Sequence, residues 1–468
     1  MEPIIQQITV KLTEKLLKDV IETGLNLNQL TGLLLEDCKE AARGIVEACV
    51  QEVNQQMRRD RAWRKGRLVV KEKNRPRRIL TFIGELRLER DYYYDQEQGC
   101  GTAPLDQALG IPRHDRILPS VEAALVAQAA ECSYARSAQI VTGGAVSRQT
   151  VRNRILKFHV PEQEANTRKK AVKELHIFAD EDHVHMQKPN KQKGKKNQIV
   201  PLVTVTEGIS GESGRSRTVN PVSFVDEEFN AKRLWKSVSG YIGKAYDTEV
   251  LEKIWIHADG GNWIRNGLEE YAQTVHIMDG FHFERKLKGF AHRFPGRNVR
   301  KRIHEAVEKD DRRRADEILQ GLLEMAGNET TQKRVREFGG YLLRHWEEIR
   351  RRRTEEVPGS CTEGQVSHLL SKRFSRDPMG WSRAGLGKLS RVRIYLKNGG
   401  KLTGLKKGRE EKEQTEAYSA YAERMLSEAV EGAYDWSIFS RRETVPFDQA
   451  AGTQQILHRL GSCRGLLN

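Results

Sequence analysis

Three acidic residues, far apart in the chain, have the type and setting for metal-assisted phosphoryl chemistry. Asp180 lies in the β-rich run His176–Met186, Asp259 directly follows the apolar run Lys253–Ala258 and precedes Gly260-Gly261, and Glu363 opens a helical pattern over Cys361–Phe374. Spacings of 79 and 104 residues separate them. An acid at the C-terminal end of a parallel strand projects into the crevice where open α/β sheets bind ligands, and glycines behind it let a backbone approach closely. Three carboxylates converging there would hold two Mg²⁺ ions through oxygen ligands, with Mn²⁺ able to substitute. Two ions about 3.5–4 Å apart clamp the attacking and leaving oxygens of an in-line displacement. Each acid also has a plainer reading. Asp182 shares a strand face with Asp180, Asp259 could stabilise its own Asp-Gly-Gly turn, and Ser360-Cys-Thr-Glu363 is a capping box. Asp279 and His282, three apart at a strand-to-helix junction, could orient a phosphate or a scissile strand. No ligand pair has the spacing of a zinc site, and His183, His185 and His257 read as packing or hydrogen-bonding histidines.

Elements that could position these residues follow from the periodicity. Residues 1–65 repeat apolar side chains every three or four positions and predict helices. Residues 66–110 change to strand period, with Arg78–Ile83 and Glu85–Tyr94 split by Gly84 into a basic β-hairpin whose three tyrosines either pack or stack on bases. Residues 111–160 predict a helix-turn-helix. Its second helix, capped by Ser147, turns Arg148, Gln149, Arg152, Asn153 and Lys157 outward for DNA while Val151, Ile155 and Leu156 go inward. An ordinary helical hairpin fits the same pattern. From 173 to 283 strands and helices alternate: His176–Met186, Gln198–Thr206, Val219–Phe224, a helix near 230–245, Lys253–Ala258, a helix over Asn262–Gln273, and Thr274–Met278. Short strand–helix–strand connections imply parallel neighbours. Residues 284–356 are charged and helical, like an insertion. The α/β part resumes over 357–400, and 401–468 is a polar helical tail clearest at Thr415–Val430.

Composition narrows the partner. Lys and Arg number 80 against 64 Asp and Glu, for a net charge of +16, which calls for a polyanion, nucleic acid by default. Half of that surplus lies in 280–353, with 20 basic against 12 acidic residues and the run Arg350, Arg351, Arg352, Arg353 as a candidate phosphate grip. No run of about 18–20 apolar residues exists, so no membrane span is expected, and no signal peptide is visible. Cys38, Cys49, Cys100, Cys132, Cys361 and Cys463 are scattered without a C-x-x-C, as in a reducing cytoplasm.

The segments Phe178-Ala-Asp-Glu-Asp-His-Val-His-Met-Gln187, Ile256-His-Ala-Asp-Gly-Gly-Asn-Trp-Ile264, Met278-Asp-Gly-Phe-His282 and Thr362-Glu-Gly-Gln-Val-Ser-His-Leu-Leu-Ser-Lys-Arg373, followed by Met379-Gly-Trp-Ser382, occur here in that order. Together they resemble the DDE transposases of bacterial insertion sequences, specifically the Lre-type group related to Mutator-like transposases. The resemblance extends more weakly to Thr81-Phe-Ile-Gly84 and Ser133-Tyr134. It implies a ribonuclease-H-like catalytic domain interrupted by an all-helical insertion between the second and third acids. It implies Mg²⁺-dependent cleavage at the element's terminal inverted repeats and transfer of 3′ hydroxyls into double-stranded target DNA. It also implies a homo-oligomer that works at the nucleoid. The family's acids match Asp180, Asp259 and Glu363, with Glu181 where relatives carry a small residue, and its Asp-x-x-His pair matches Asp279 and His282. The competing expectation is a DNA-binding regulator, or a transposase remnant without chemistry.

Overall fold

A computed structural model describes residues 2–111, 113–163, 168–187, 197–210, 217–355, 361–377 and 379–402. The expected tail and its Thr415–Val430 helix, the lysine-rich turn between the first two α/β strands and Val357–Ser360 lie outside the described residues. The chain divides into two compact units that part after Glu122.

In the first unit, α1 (Glu2–Thr23) is followed by α2 (Leu27–Arg59), which starts at a capping box between Asn26 and Gln29. Strands β1 (Leu68–Thr81), β2 (Gly84–Asp95) and β3 (Cys100–Thr102) form an antiparallel sheet in sequence order. Val50, Val53 and Met57 of α2 pack on Ile79, Leu86 and Leu88 of the hairpin. Regions 1–65 and 66–110, expected as separate, therefore share one core. Of the three tyrosines, Tyr93 is buried and Tyr94 exposed, so the packing reading applies to the central one.

The second unit contains α3 (Pro119–Ala129) from Ala123 onward, then α4 (Tyr134–Thr142) and α5 (Arg148–Lys157). Gly143, left-handed at φ 61°, closes α4, and Ser147 caps α5. A five-stranded sheet follows, built from β4 (Glu174–His185), β5 (Asn197–Thr206), β6 (Val222–Phe224), β7 (Lys253–Ala258) and β8 (Thr274–Met278) in the order β8-β7-β4-β5-β6. β4, β7 and β8 are parallel, β5 runs antiparallel to β4, and β6 runs antiparallel to β5. The central strands are buried along most of their length, with apolar residues on one face and His176, Asp180, Asp182 and His257 on the other. On one face Leu175, Ile177, Ala179, Ile254 and Ile256 pack against Leu234, Trp235, Val238 and Ile242 of α6 (Ala231–Ala245). The register aligns Ala179 with Ala258, and Ala258 with Met278. The next residue of each strand is therefore Asp180, Asp259 or Asp279, and the three aspartates stand side by side.

The helix predicted over Asn262–Gln273 is only a turn at Asn262–Arg265. Gly267 presses on the Trp235 ring, where a Cβ would fall 2.5 Å from Cε2, and Leu268 has φ 60°, which ends helical geometry. After β8, helices α7 (Gly280–Ala291), α8 (Val299–Glu308), α9 (Arg312–Glu324), α10 (Glu329–Arg344) and α11 (Trp346–Thr354) surround their own core. Phe283, Leu287, Ile303, Leu319, Leu342 and Ile349 fill it, and Phe290 stacks on Phe338 with centroids 4.2 Å apart. α12 (Thr362–Val366) continues through a π turn at Ser367–Ser371 to Phe374, and α13 (Arg383–Lys397) follows. Among the described residues no helix is long and apolar enough to cross a membrane.

Candidate active site

Strand alternation places Asp180 and Asp182 on the face opposite the α6 core, and the two side chains then diverge. The Asp182 carboxylate accepts a hydrogen bond from Ser375 Oγ at 3.0 Å. Asp180, 7% exposed, accepts the Glu181 N–H, at 2.8 Å, and no other donor among the described residues. Burial pushes Asp180 up to about 6, and the Asp259 and Glu363 charges push the same way, against the Glu181 N–H and His282. The structure thus separates two aspartates that alternation alone left equivalent.

Asp259 follows the edge of β7, where its Oδ1 accepts from Gly261 N at 2.9 Å. The turn reading of this residue therefore holds, together with its closeness to Asp180. Gly260 has φ 88°, and a Cβ there would meet His345 at 2.6 Å, so the turn admits only glycine. Glu363 is exposed in the first turn of α12, whose N-cap residue, Cys361, makes no side-chain capping bond. Ser360, the other half of the expected capping box, lies outside the described residues. Ligand atoms of Asp180, His282 and Glu363 all lie within 4.8 Å of one another. Asp259 is outside that tight set, but its charge acts on both Asp180 and His282.

Asp279 takes a different role from the one predicted. It is 1% exposed and caps α7, its Oδ1 accepting from Phe281 N at 2.8 Å and His282 N at 3.2 Å. So enclosed, the carboxylate presents almost no surface of its own to a ligand. Instead it stands 3.5 Å from His282 Nδ1 and raises the imidazole's pKa, with the charge of Asp180 adding to the effect. His282 thus joins the acids, and Asp279 positions it.

Two features go beyond the sequence reading, which took His257 as a packing or hydrogen-bonding histidine and Arg352 as one member of a phosphate-gripping run. His176 Nδ1 and His257 Nε2 lie 3.1 Å apart, buried in the sheet. Arg352 is pulled down by burial, with Asp279 opposing. Period-two placement of His176 and His257 on the Asp180 face was the available signal for the first, and for the second there was none.

The predicted DNA-contact residues divide. Arg148, Gln149, Asn153 and Lys157 are exposed on α5, with Arg152 half-buried and Gln149 bonded to Asn153 at 3.0 Å. The run Arg350–Arg353 is engaged internally rather than lying free. Arg350 pairs with Glu347 at 2.9 Å, Arg351 donates to the His276 carbonyl at 3.3 Å, and Arg353 pairs with Glu284 at 2.9 Å and Glu308 at 3.4 Å. These arginines brace the helical body because acids from several of its helices converge on them.

The chain belongs to UPF0236, described as an uncharacterised protein family, whose family model matches residues 20–414. A UPF0236 protein of Caldanaerobacter subterraneus subsp. tengcongensis, whose name joins four locus designations, is 32% identical over 436 residues, covering 92% of this chain and 91% of that protein. A second from the same organism, with a name joining eleven locus designations, is likewise 32% identical over 436 residues, 92% of this chain and 91% of its own. A UPF0236 protein of Streptococcus gallolyticus, named for its place in the vanSb 3′ region, is 22% identical over 405 residues, 81% of this chain and 85% of its own.

Proposed function

We propose that the protein is the DDE transposase of a bacterial insertion sequence, with a ribonuclease-H-like catalytic domain into which the helical body of residues 280–355 is inserted. It would cleave the phosphodiester at each element end and transfer the freed 3′ hydroxyl into target DNA, working as a homo-oligomer that joins two ends. The observation that carries this reading is the meeting of Asp180 and Glu363, residues 183 apart in sequence, with His282 inside 4.8 Å and Asp259 alongside. A name joining eleven locus designations in one relative agrees with a gene that is copied to new places.

The residues present fit divalent metal. Carboxylate oxygens are the donors that Mg²⁺ and Mn²⁺ favour, and the buried Asp180 carboxylate carries the added repulsion of Asp259 and Glu363, which a cation would relieve. Asp180 and Glu363, with Asp259, would hold the ions, which when bound supply nucleophile activation and charge neutralisation. The remaining work falls to the chain. Asp279 fixes His282, whose raised pKa favours a cation facing the scissile phosphate. Exposed residues of α5 grip the duplex, and net charge draws DNA in.

The test is cleavage of duplexes carrying the inverted repeats that flank the reading frame, with Mg²⁺ or with chelator. Cleavage and strand-transfer products are expected with metal only. Asp180→Ala, Asp259→Ala and Glu363→Ala should each lose cleavage while retaining DNA binding. A variant that joins ends at the wild-type rate removes that residue from the site. Binding without any Mg²⁺- or Mn²⁺-dependent cleavage by the wild type would leave a DNA-binding regulator.

A further inference from the structure

The Thr81–Gly84 turn joins β1 to β2 and takes no part in the site described above. Thr81 pairs with Gly84, leaving Phe82 and Ile83 as the turn. Phe82 is 57% exposed, whereas Ile83 packs on the unit's core. Isolated exposed apolar residues are ordinary, but this one is held out on a rigid mount. Thr81 Oγ1 accepts from Ile83 N at 3.2 Å and donates to Gly84 O at 2.8 Å. Arg43 of α2 donates to Ile83 O at 2.6 Å, and Glu47, one helical turn on, accepts from Arg87 N at 2.6 Å. Gly84 has φ 111°, and a Cβ there would lie 2.8 Å from Arg43 Nη1. Backbone and side-chain groups from both strands and from α2 therefore fix a turn whose most prominent feature is an unburied phenyl ring.

Behind that ring, Arg78 and Arg87 are directly opposite one another across the two strands. Like charges in that register destabilise a ribbon unless an anion lies between them. Among the described residues Arg78 has only Glu85, at 3.8 Å, and the Arg87 guanidinium has neither an ion pair nor a hydrogen bond. Lys71, Lys73 and Arg75 continue the exposed basic edge along β1. An apolar docking peg for another protein would not need the paired arginines, whereas a duplex supplies both counterparts. Its phosphates neutralise the guanidinium groups, and its base steps accept an apolar wedge that kinks the helix by about 20–90°.

We propose that the β1–β2 hairpin is a second DNA-contact site, separate from the helix-turn-helix, in which Arg78 and Arg87 straddle the duplex backbone and Phe82 wedges between base steps and bends the DNA. This rests on the reading of the protein as DNA-acting.

The experiment uses the full chain with chelator present, on a mixed-sequence duplex carrying donor and acceptor dyes at its ends. Wild type should bind and shorten the dye separation. Phe82→Ala should bind and leave the duplex straight, while Phe82→Leu, which keeps an apolar wedge, should retain the bend. Arg78→Gln with Arg87→Gln should reduce the slope of log affinity against log salt by about 1.8, roughly 0.9 for each phosphate that is no longer neutralised. Arg148→Gln with Lys157→Gln should weaken binding and leave the bend in the complexes that form. These are exposed positions, and matched thermal melts check that each variant is folded. If wild type binds without bending, or if the hairpin variants bend and titrate with salt as wild type does, the hairpin site is overturned while the proposed function stands. If wild type binds no duplex, the proposed function falls and takes the hairpin site with it.

Discussion

Asp180 is strained by its position, and that strain is measurable. Its carboxyl ordinarily titrates at 3.8 but is pushed to about 6 here. A raised carboxyl pKa means the folded state holds the proton more tightly than the unfolded state. Stability therefore falls as pH rises from about 4 to about 6, and the full penalty, on the order of 3 kcal/mol, is present above that. Asp180→Asn should remove it. Its melting temperature in chelator should exceed that of wild type at pH 7.5 and match it at pH 4, and equal melting at both pH values would mean that Asp180 is not held as a strained anion. On the proposed metal-holding role of Asp180, Mg²⁺ should raise the melting temperature of wild type and not of the variant, since a ligand that binds only the folded state stabilises it. The sequence identified this residue's type and strand, because an apolar run interrupted by acids is conspicuous. It left Asp180 and Asp182 equivalent, since alternation places both on one face and only distant groups distinguish them, the Ser375 hydroxyl on Asp182 and His282 with Glu363 beside Asp180. The same limit applied to Asp279. A D-x-x-H pattern shows a pair at a junction, but an enclosed helix cap that aims a histidine is a property of depth, which a linear pattern does not carry.

Among the elements, the first unit depends on how α2 grips the hairpin. Asp91 is fully buried in β2 and receives Arg58 of α2 at 2.6 Å, with the Asn74 N–H adding a bond at 3.0 Å. Burial opposes its charge, but these partners prevail and hold its pKa below the usual carboxylate value. A depressed carboxylate contributes stability at neutral pH that is lost as pH falls through its folded value, below about 4. Asp91→Ala leaves the half-buried Arg58 without its anion and should cost about 3 kcal/mol at pH 7. Urea unfolding followed at pH 7 and again at pH 3 should show that cost shrinking in acid, and a constant difference would assign it to packing alone. Strands and helices were largely legible from period two and period 3.6, because the sheet and the helical body each bury a continuous apolar face. The failures came where tertiary packing overrides local pattern. Gly267 against Trp235 stops a helix that the apolar residues of 262–273 predict. Arg350–Arg353 look like free cations in sequence, yet meet Glu284, Glu308 and Glu347 once the helices fold together. The run's charge was visible, but its acidic partners, up to 69 residues away, were not.

At the scale of the whole second unit, the acid cluster depends on Glu363 being carried to Asp180 by a helix that contains a π turn. Such a turn breaks the regular i→i−4 ladder and leaves carbonyls seeking donors. Arg393 of α13, 1% exposed, fills that need. It donates to His368 O at 3.0 Å and Leu369 O at 2.5 Å, to Ala130 O at 2.8 Å, and pairs with Glu131 at 2.8 Å. Arg373 makes a parallel tie from the helix that bears Glu363 to Ala129 O at 3.1 Å and Cys132 O at 2.6 Å. The segment that joins α3 to α4 and the helix that bears Glu363 are thus fastened by two guanidinium groups. Lysine cannot replace them, since a single ammonium does not span carbonyls on separate segments in a fixed plane. Arg393→Met should leave those carbonyls unpaired and cost about 3 kcal/mol, a fall in melting temperature of roughly 10 °C for a unit of this size. Loss of stability alone would not distinguish a strut from a positioning residue, but the response to metal does. If Arg393 holds Glu363 against Asp180, the Mg²⁺-induced rise in melting temperature should shrink in Arg393→Met and recover only partly in Arg393→Lys. If the variant is less stable but gains as much from Mg²⁺ as wild type does, the tie serves packing only, and the register of Glu363 must be set by α12 itself.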